Sequence, residues 1–219
     1  NGPNSATPYV DTMDRVGMTT ANAKVLGLLS PSSALDASIV FNSNFSFDFS
    51  PDTIEPGRID FVGAAMHEIG HALGFVSGVD DIDELGGDYP GSDFSSNLVD
   101  LWRYSTLSLA TGPGFTDYTA DTRDKFFSLD RGITTVPLFS TGVTYGDGHQ
   151  ASHWKDNLGI GLMDPTLMFG ERAALTRNDL RAFDVLGYTL IPEPSGLMLL
   201  FVGGMALGVR WRWRKEIPC

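Results

Sequence analysis

Phe61-Val-Gly-Ala-Ala-Met-His-Glu-Ile-Gly-His-Ala-Leu-Gly-Phe75 is the stretch on which the reading of this chain turns. Within it, His67-Glu68-Ile69-Gly70-His71 has the form H-E-x-x-H. Side chains four apart in a helix lie on one face. Two imidazoles so placed can share one Zn²⁺, and Glu68 beside the first can act as a general base on a metal-bound water. The surroundings predict a buried helix and not a loop. Phe61, Val62, Ala64, Ala65 and Met66 are apolar or small. Asp60 stands where a negative charge suits a helix N-terminus. Gly74 stands where a helix ends and a left-handed residue is favoured. The expectation is a zinc hydrolase, most simply a protease.

A catalytic zinc takes three protein ligands and keeps one position open. Outside the motif the chain has only two further histidines, His149 and His153. In the compact pattern H-E-x-x-H-x-x-G-x-x-H the third histidine would fall at Ser77, a poor ligand. Asp80, Asp81, Asp83 and Glu84 follow closely and could supply oxygen. The stronger candidates lie downstream, in Gly148-His-Gln-Ala-Ser-His-Trp-Lys-Asp156, shortly before Gly161-Leu-Met-Asp-Pro165. His149 and His153 are four apart, but Gly146 and Gly148 put His149 in a loop. The residue types alone leave His153, His149 and a carboxylate open, with His153 preferred.

His67 to Phe75, Ser152-His153-Trp154 and Leu162-Met163-Asp164-Pro165 together resemble the leishmanolysin-like metzincins. The likeness runs on through Leu175-Thr-Arg-Asn-Asp-Leu-Arg-Ala-Phe-Asp-Val-Leu-Gly-Tyr188, which is similar to that family's closing helix. It covers roughly residues 35–189, and its specific parts are the motifs near 67 and 153. The resemblance implies an α+β fold: a twisted sheet with the active-site helix, then a C-terminal subdomain with a methionine turn. It implies that His153 is the third zinc ligand and Met163 the turn methionine beneath the metal. It also implies peptide hydrolysis, with Glu68 as the catalytic carboxylate and Gly74 as structural support. No tyrosine can be assigned as an additional electrophile, though Tyr145 and Tyr188 are candidates.

The chain has 219 residues, 42% of them hydrophobic, enough for one sizeable domain. Its net charge is −12. Residues 210–219 hold Arg210, Arg212, Arg214 and Lys215 against Glu216, a local +3, so the remainder carries −15. An acidic body of this kind disfavours nucleic acid and anionic membrane as partners. The lone cysteine, Cys219, allows no intrachain disulfide. The chain starts at Asn1 without an apolar leader, as expected of a processed protein or of a fragment.

Along the chain, residues 1–19 read as a loop. Thr20 to Leu29 reads as a short helix capped by Thr19 or Thr20. Phe45, Phe47 and Phe49 alternate with polar residues, as in a strand. Such a strand could form a sheet edge that pairs with extended substrate, by strand addition. Val79 to Asp93 is acidic and glycine-rich and reads as a surface loop. Its oxygens could serve Ca²⁺, but their spacing does not match an EF-hand. Asn97 to Tyr104 reads as helix, and residues 105–148 as short strands and turns that shape a cleft.

The expected domain boundary falls after residue 189. Residues 190–219 contain Pro192-Glu193-Pro194, an apolar run over 196–209 and the basic, Trp-containing end. Fourteen uncharged residues are short for a permanent membrane span. The arrangement resembles the PEP-CTERM tail of exported bacterial proteins. That likeness implies Pro192, Glu193 and Pro194 as the element read by an exosortase-type partner, and transient membrane insertion through the tail. The basic end would remain cytoplasmic, with the catalytic domain in the envelope or outside. The competing expectation is an exported surface or matrix protein whose zinc is structural.

Overall fold

In the computed structural model the motif helix runs from Phe61 to Ala72 (α2). The structure describes residues 15–85, 95–112, 114–135 and 137–191. The chain divides into two units, Asn1–Tyr188 and Thr189–Cys219. Pro192, Glu193, Pro194, the apolar run 196–209 and the basic end lie outside the described residues. So do residues 1–14 and 86–94, the latter including Asp88 and Asp93. Among the described residues no helix is long and apolar enough to cross a membrane.

The described chain is mixed α and β with small sheets, an α+β arrangement. Helix α1 (Thr20–Val25) starts as the sequence predicts, with the Thr19 side chain accepting the Asn22 amide N–H. Two parallel strand pairs follow: β1 (Val16–Gly17) with β4 (Ser96–Asn97), and β2 (Phe47–Asp48) with β3 (Ile59–Asp60). An antiparallel sheet is built in the order β5 (Arg103–Tyr104), β6 (Lys125–Phe127), β7 (Leu138–Phe139). Helix α5 (Arg177–Val185) occupies the segment expected to close the domain.

Several sequence expectations change. Residues 105–148, expected as short strands and turns, open with helix α4 (Thr106–Thr111), and the expected loop of residues 1–19 holds β1. The phenylalanine-rich segment forms only the two-residue strand β2, not a long sheet edge. Its rings gather instead into an aromatic cluster, with Phe41, Phe47 and Phe49 all within 4.6–5.4 Å of the Phe61 ring centroid. Ring packing against the first turn of α2 outweighs strand pairing here. The acidic run begins as a helix, α3 (Val79–Leu85), with Val79 and Ile82 buried. Their i,i+3 spacing places both on one face, a signal masked by the surrounding carboxylates. Asn97 to Tyr104 is not one helix but β4, a 3-10 turn (Leu98–Trp102) and β5. Asp100 explains the break: its buried carboxylate accepts the Asn97 and Gly78 amides, the Ser77 hydroxyl and the Arg103 guanidinium.

The main core lies under the end of α2. Trp154 is its centre, stacked on Phe139 at 4.9 Å and edge-on to Phe75 at 4.9 Å. Val99, Phe127, Met163, Ala182 and Leu186 complete it. A second cluster, with Val79, Ile82, Tyr118, Ala120 and Ala151, sits beside α3.

Candidate metal centre

Helix α2 carries His67 and His71 one turn apart. Its end is fixed by the Gly74 amide bonding the His71 carbonyl and the Phe75 amide bonding the Gly70 carbonyl, both at 3.0 Å. This pairing is the Schellman closure, and it needs a left-handed residue at Gly74, where φ is +112°. A Cβ there would also lie 2.0 Å from Asn22 Oδ1, so only glycine fits. The turn delivers the Phe75 carbonyl to His71 Nδ1 at 2.8 Å.

His153 comes from the irregular segment after β7. Its carbonyl accepts the Ser140 amide at 3.0 Å, and the Trp154 amide bonds the Met163 carbonyl at 2.8 Å. The three Nε2 atoms converge: His67 to His71 is 3.1 Å, and each lies 3.2 Å from His153. Each Nδ1 faces a backbone carbonyl. His67 meets Leu162 at 3.0 Å, His71 meets Phe75, and His153 meets Gln150 at 3.2 Å. A carbonyl cannot donate, so each Nδ1 carries the proton and each Nε2 presents a lone pair. Burial lowers the pKa of His71. Burial, with the charges of His71 and His67 adding to it, pushes His153 down to about 3. Three imidazoles with converging Nε2 atoms can bind a metal ion.

Among the described residues these three form the only group of His, Cys, Asp or Glu side chains close enough to hold one. His149 stands apart, its Nε2 3.3 Å from Asp156. Asp80 is turned toward the amides of Ala151 and Ser152. Asp83 accepts the Thr144 and Tyr145 amides, both at 2.8 Å. These carboxylates clamp loops, and neither a third ligand nor a calcium cage is formed from them.

Met163 is fully buried beneath α2. A Cβ on Gly70 would lie 2.5 Å from its Sδ, so the glycine inside the motif is where the thioether rests. Asp179, also fully buried, gathers this floor. It accepts the Trp154 indole N–H at 2.8 Å and the Leu162 amide at 2.9 Å, and it bonds Met163 and Thr176 as well. Leu162 thus has its N–H on Asp179 and its carbonyl on His67. No motif marked Asp179. Its sequence signal was the Thr176-x-x-Asp179 spacing of a capping box, which the structure contains.

His67 and Glu68 border a cleft of about 500 Å³. Phe41, Phe47, Ile59 and Leu162 form apolar wall, with Asp164, Thr166 and Arg172 among its polar lining. Glu68 is exposed on the cleft side. Among the described residues no tyrosine lines it: Tyr188 packs on Phe183 and Tyr145 on the cluster beside α3. No protein-family model, curated protein or solved structure matches the chain.

Proposed function

We propose that this chain is a zinc-dependent endopeptidase of metzincin type, exported and surface-directed through its C-terminal tail. The observation that carries this reading is the convergence of three Nε2 atoms beside Glu68, at the wall of an open apolar cleft. Tetrahedral zinc with bonds of about 2.0–2.1 Å holds its nitrogens about 3.3 Å apart. The separations here, 3.1–3.2 Å, fit that ion. His67, His71 and His153 would hold it, with Met163 as the apolar floor.

When bound, zinc would supply a Lewis acid to polarise the scissile carbonyl and to acidify water. Glu68 takes the proton of the attacking water on a carboxylate oxygen and returns it to the leaving amine. The Leu162, Phe75 and Gln150 carbonyls keep the three rings in one tautomer throughout. The apolar cleft wall receives substrate side chains and excludes water from the scissile bond. The Pro192-Glu193-Pro194 tail, by its sequence, supports export with the basic end left on the cytoplasmic side.

A structural zinc site in a surface or matrix protein would need a fourth protein ligand. Among the described residues none joins the three histidines, which favours the hydrolytic reading. The deciding test is cleavage of unfolded casein by the zinc-loaded protein, with and without chelator, beside Glu68→Gln. Activity lost to chelator, restored by zinc and reduced about 10²–10⁴-fold in the variant is expected. A folded, zinc-loaded wild type with no activity on any unfolded protein would overturn the proposal.

A further inference from the structure

Of the three ligands, His153 is the one no helix places. Its ring is oriented by the Gln150 carbonyl. That carbonyl shares a rigid peptide plane with the Ala151 N–H. The Ala151 N–H donates to Asp80 Oδ1 at 2.5 Å. The next plane is held from both sides. Ser152 N–H donates to Asp80 Oδ2 at 3.2 Å, and the Ala151 carbonyl accepts Arg103 Nη2 at 2.5 Å. The Ser152 hydroxyl also donates to Asp80 and accepts the Ser77 amide at 2.8 Å. Arg103 is itself buried, fixed by Asp100, with its guanidinium 4.1 Å from the Phe139 ring centre. Two successive peptide planes before His153 are therefore pinned by one carboxylate and one guanidinium.

We propose that Asp80 is the positioning residue for the third metal ligand, acting with Arg103 through the Gln150–Ala151–Ser152 backbone. This inference rests on the metal-site reading above. The Asp80 carboxylate, the Ala151 N–H, the Gln150 carbonyl and the His153 Nδ1–H form one chain of hydrogen bonds, each polarising the next. Loss of the carboxylate frees the Gln150–Ala151 plane to rotate. The Gln150 carbonyl then leaves the Nδ1–H, and the Nε2 lone pair turns away from those of His67 and His71. The helix ligands are untouched, because their orienting carbonyls belong to Phe75 and Leu162.

A bland alternative makes Asp80 a clamp that serves stability alone, and the test separates the two. The full chain and its Asp80→Ala, Asp80→Asn and Tyr104→Leu variants would be titrated with Co²⁺, reading the visible ligand-field bands. Zinc affinity would be read by competition with a chelator, and stability by thermal unfolding of the metal-free proteins. Asp80→Ala is expected to weaken zinc binding roughly 10–100-fold and to alter the cobalt bands. Asp80→Asn keeps an acceptor for Ala151 but turns an amide toward Ser152 N–H, so a smaller loss of several-fold is expected. Tyr104→Leu, in the buried β5–β6 contact with Phe126, should lower the melting temperature and leave affinity and bands unchanged. If Asp80→Ala does not fold, Asp80→Asn is read by the same criterion. Wild-type affinity and bands in a folded Asp80 variant would overturn the positioning role and leave the metal site standing. An equal loss of affinity in Tyr104→Leu would overturn it too. Failure of the wild type to bind cobalt would overturn the metal site itself.

Discussion

Helix α2 and the segment from Gly148 to Met163 contribute to the same three-histidine cluster by opposite means. The helix places His67 and His71 through its own period and ends itself with its own amides and Gly74. The segment has almost no regular structure. It is held by backbone pairing to β7 and by carboxylates from elsewhere: Asp80 from α3 and Asp179 from α5. One half of the site is thus written locally and the other half remotely. Substitutions far from the histidines in sequence should therefore damage the second half and spare the first.

The sharpest way to break that second half is Asp179→Ala. The carboxylate is fully buried and accepts from the Trp154 indole and from the Leu162, Met163 and Thr176 amides. Removing it strands several buried donors, each costing roughly 1–3 kcal/mol when unpaired. Even with water entering, a loss of at least about 3 kcal/mol is expected in urea unfolding. A loss below about 1 kcal/mol would show that Asp179 is not the tie between this segment and α5.

Acid should act where the two halves meet. Burial holds His153 near 3 in the folded protein, against about 6.5 in an unfolded chain. Between those values the unfolded state binds a proton that the folded state refuses. Stability of the metal-free protein therefore rises with pH from about 3 to 6.5 and is lost as pH falls through that window. The slope from His153 approaches about 1.4 kcal/mol per pH unit below about pH 5.5 and is half that at about 6.5, so about 2 kcal/mol is lost from pH 6.5 to 4.5. His71, lowered in the same direction, steepens it. Unfolding midpoints of chelator-treated protein, compared with His153→Gln, would check this. The variant should lose one histidine's share of the slope, and identical pH profiles would contradict the burial effect.

The same division explains what could be read before the structure. His67, Glu68, His71 and the Gly74 stop were legible because helical period and the closing glycine are local signals. Helix α5 was expected only through the family likeness of Leu175 to Tyr188. His153 could be preferred over His149 through neighbouring glycines and a family likeness, but its separation from α2 is set by tertiary contacts. Val79 and Ile82 were hidden among acids, of which Asp80 and Asp83 face inward, toward loop amides, and Asp81 and Glu84 face outward. Phe45, Phe47 and Phe49 alternate as a strand would, yet the segment pairs over only two residues, and Phe47 and Phe49 pack their rings on Phe61. The remote partners of Asp80, Asp100 and Asp179 were illegible for one reason. A carboxylate that caps distant amides looks, in sequence, like a carboxylate in water.

The finest test of the locally written half is the glycine within its motif. Helix propensity alone predicts that Gly70→Ala stabilises α2 by about 1 kcal/mol. The new Cβ would fall 2.5 Å from Met163 Sδ and 3.3 Å from the Phe183 ring. Overpacking of a tight core typically costs about 1–3 kcal/mol. Methionine is adaptable and gives way at the low end of that range, so a net loss of about 1 kcal/mol or less is expected. The sign is the informative part, and a double-mutant cycle isolates it. In a Met163→Ala background the clash is gone, and Gly70→Ala should become neutral or stabilising. If Gly70→Ala costs the same in both backgrounds, Gly70 is not the seat of the Met163 thioether. The link between the two halves would then run through Leu162 and His67 and through the Phe75–Trp154 contact.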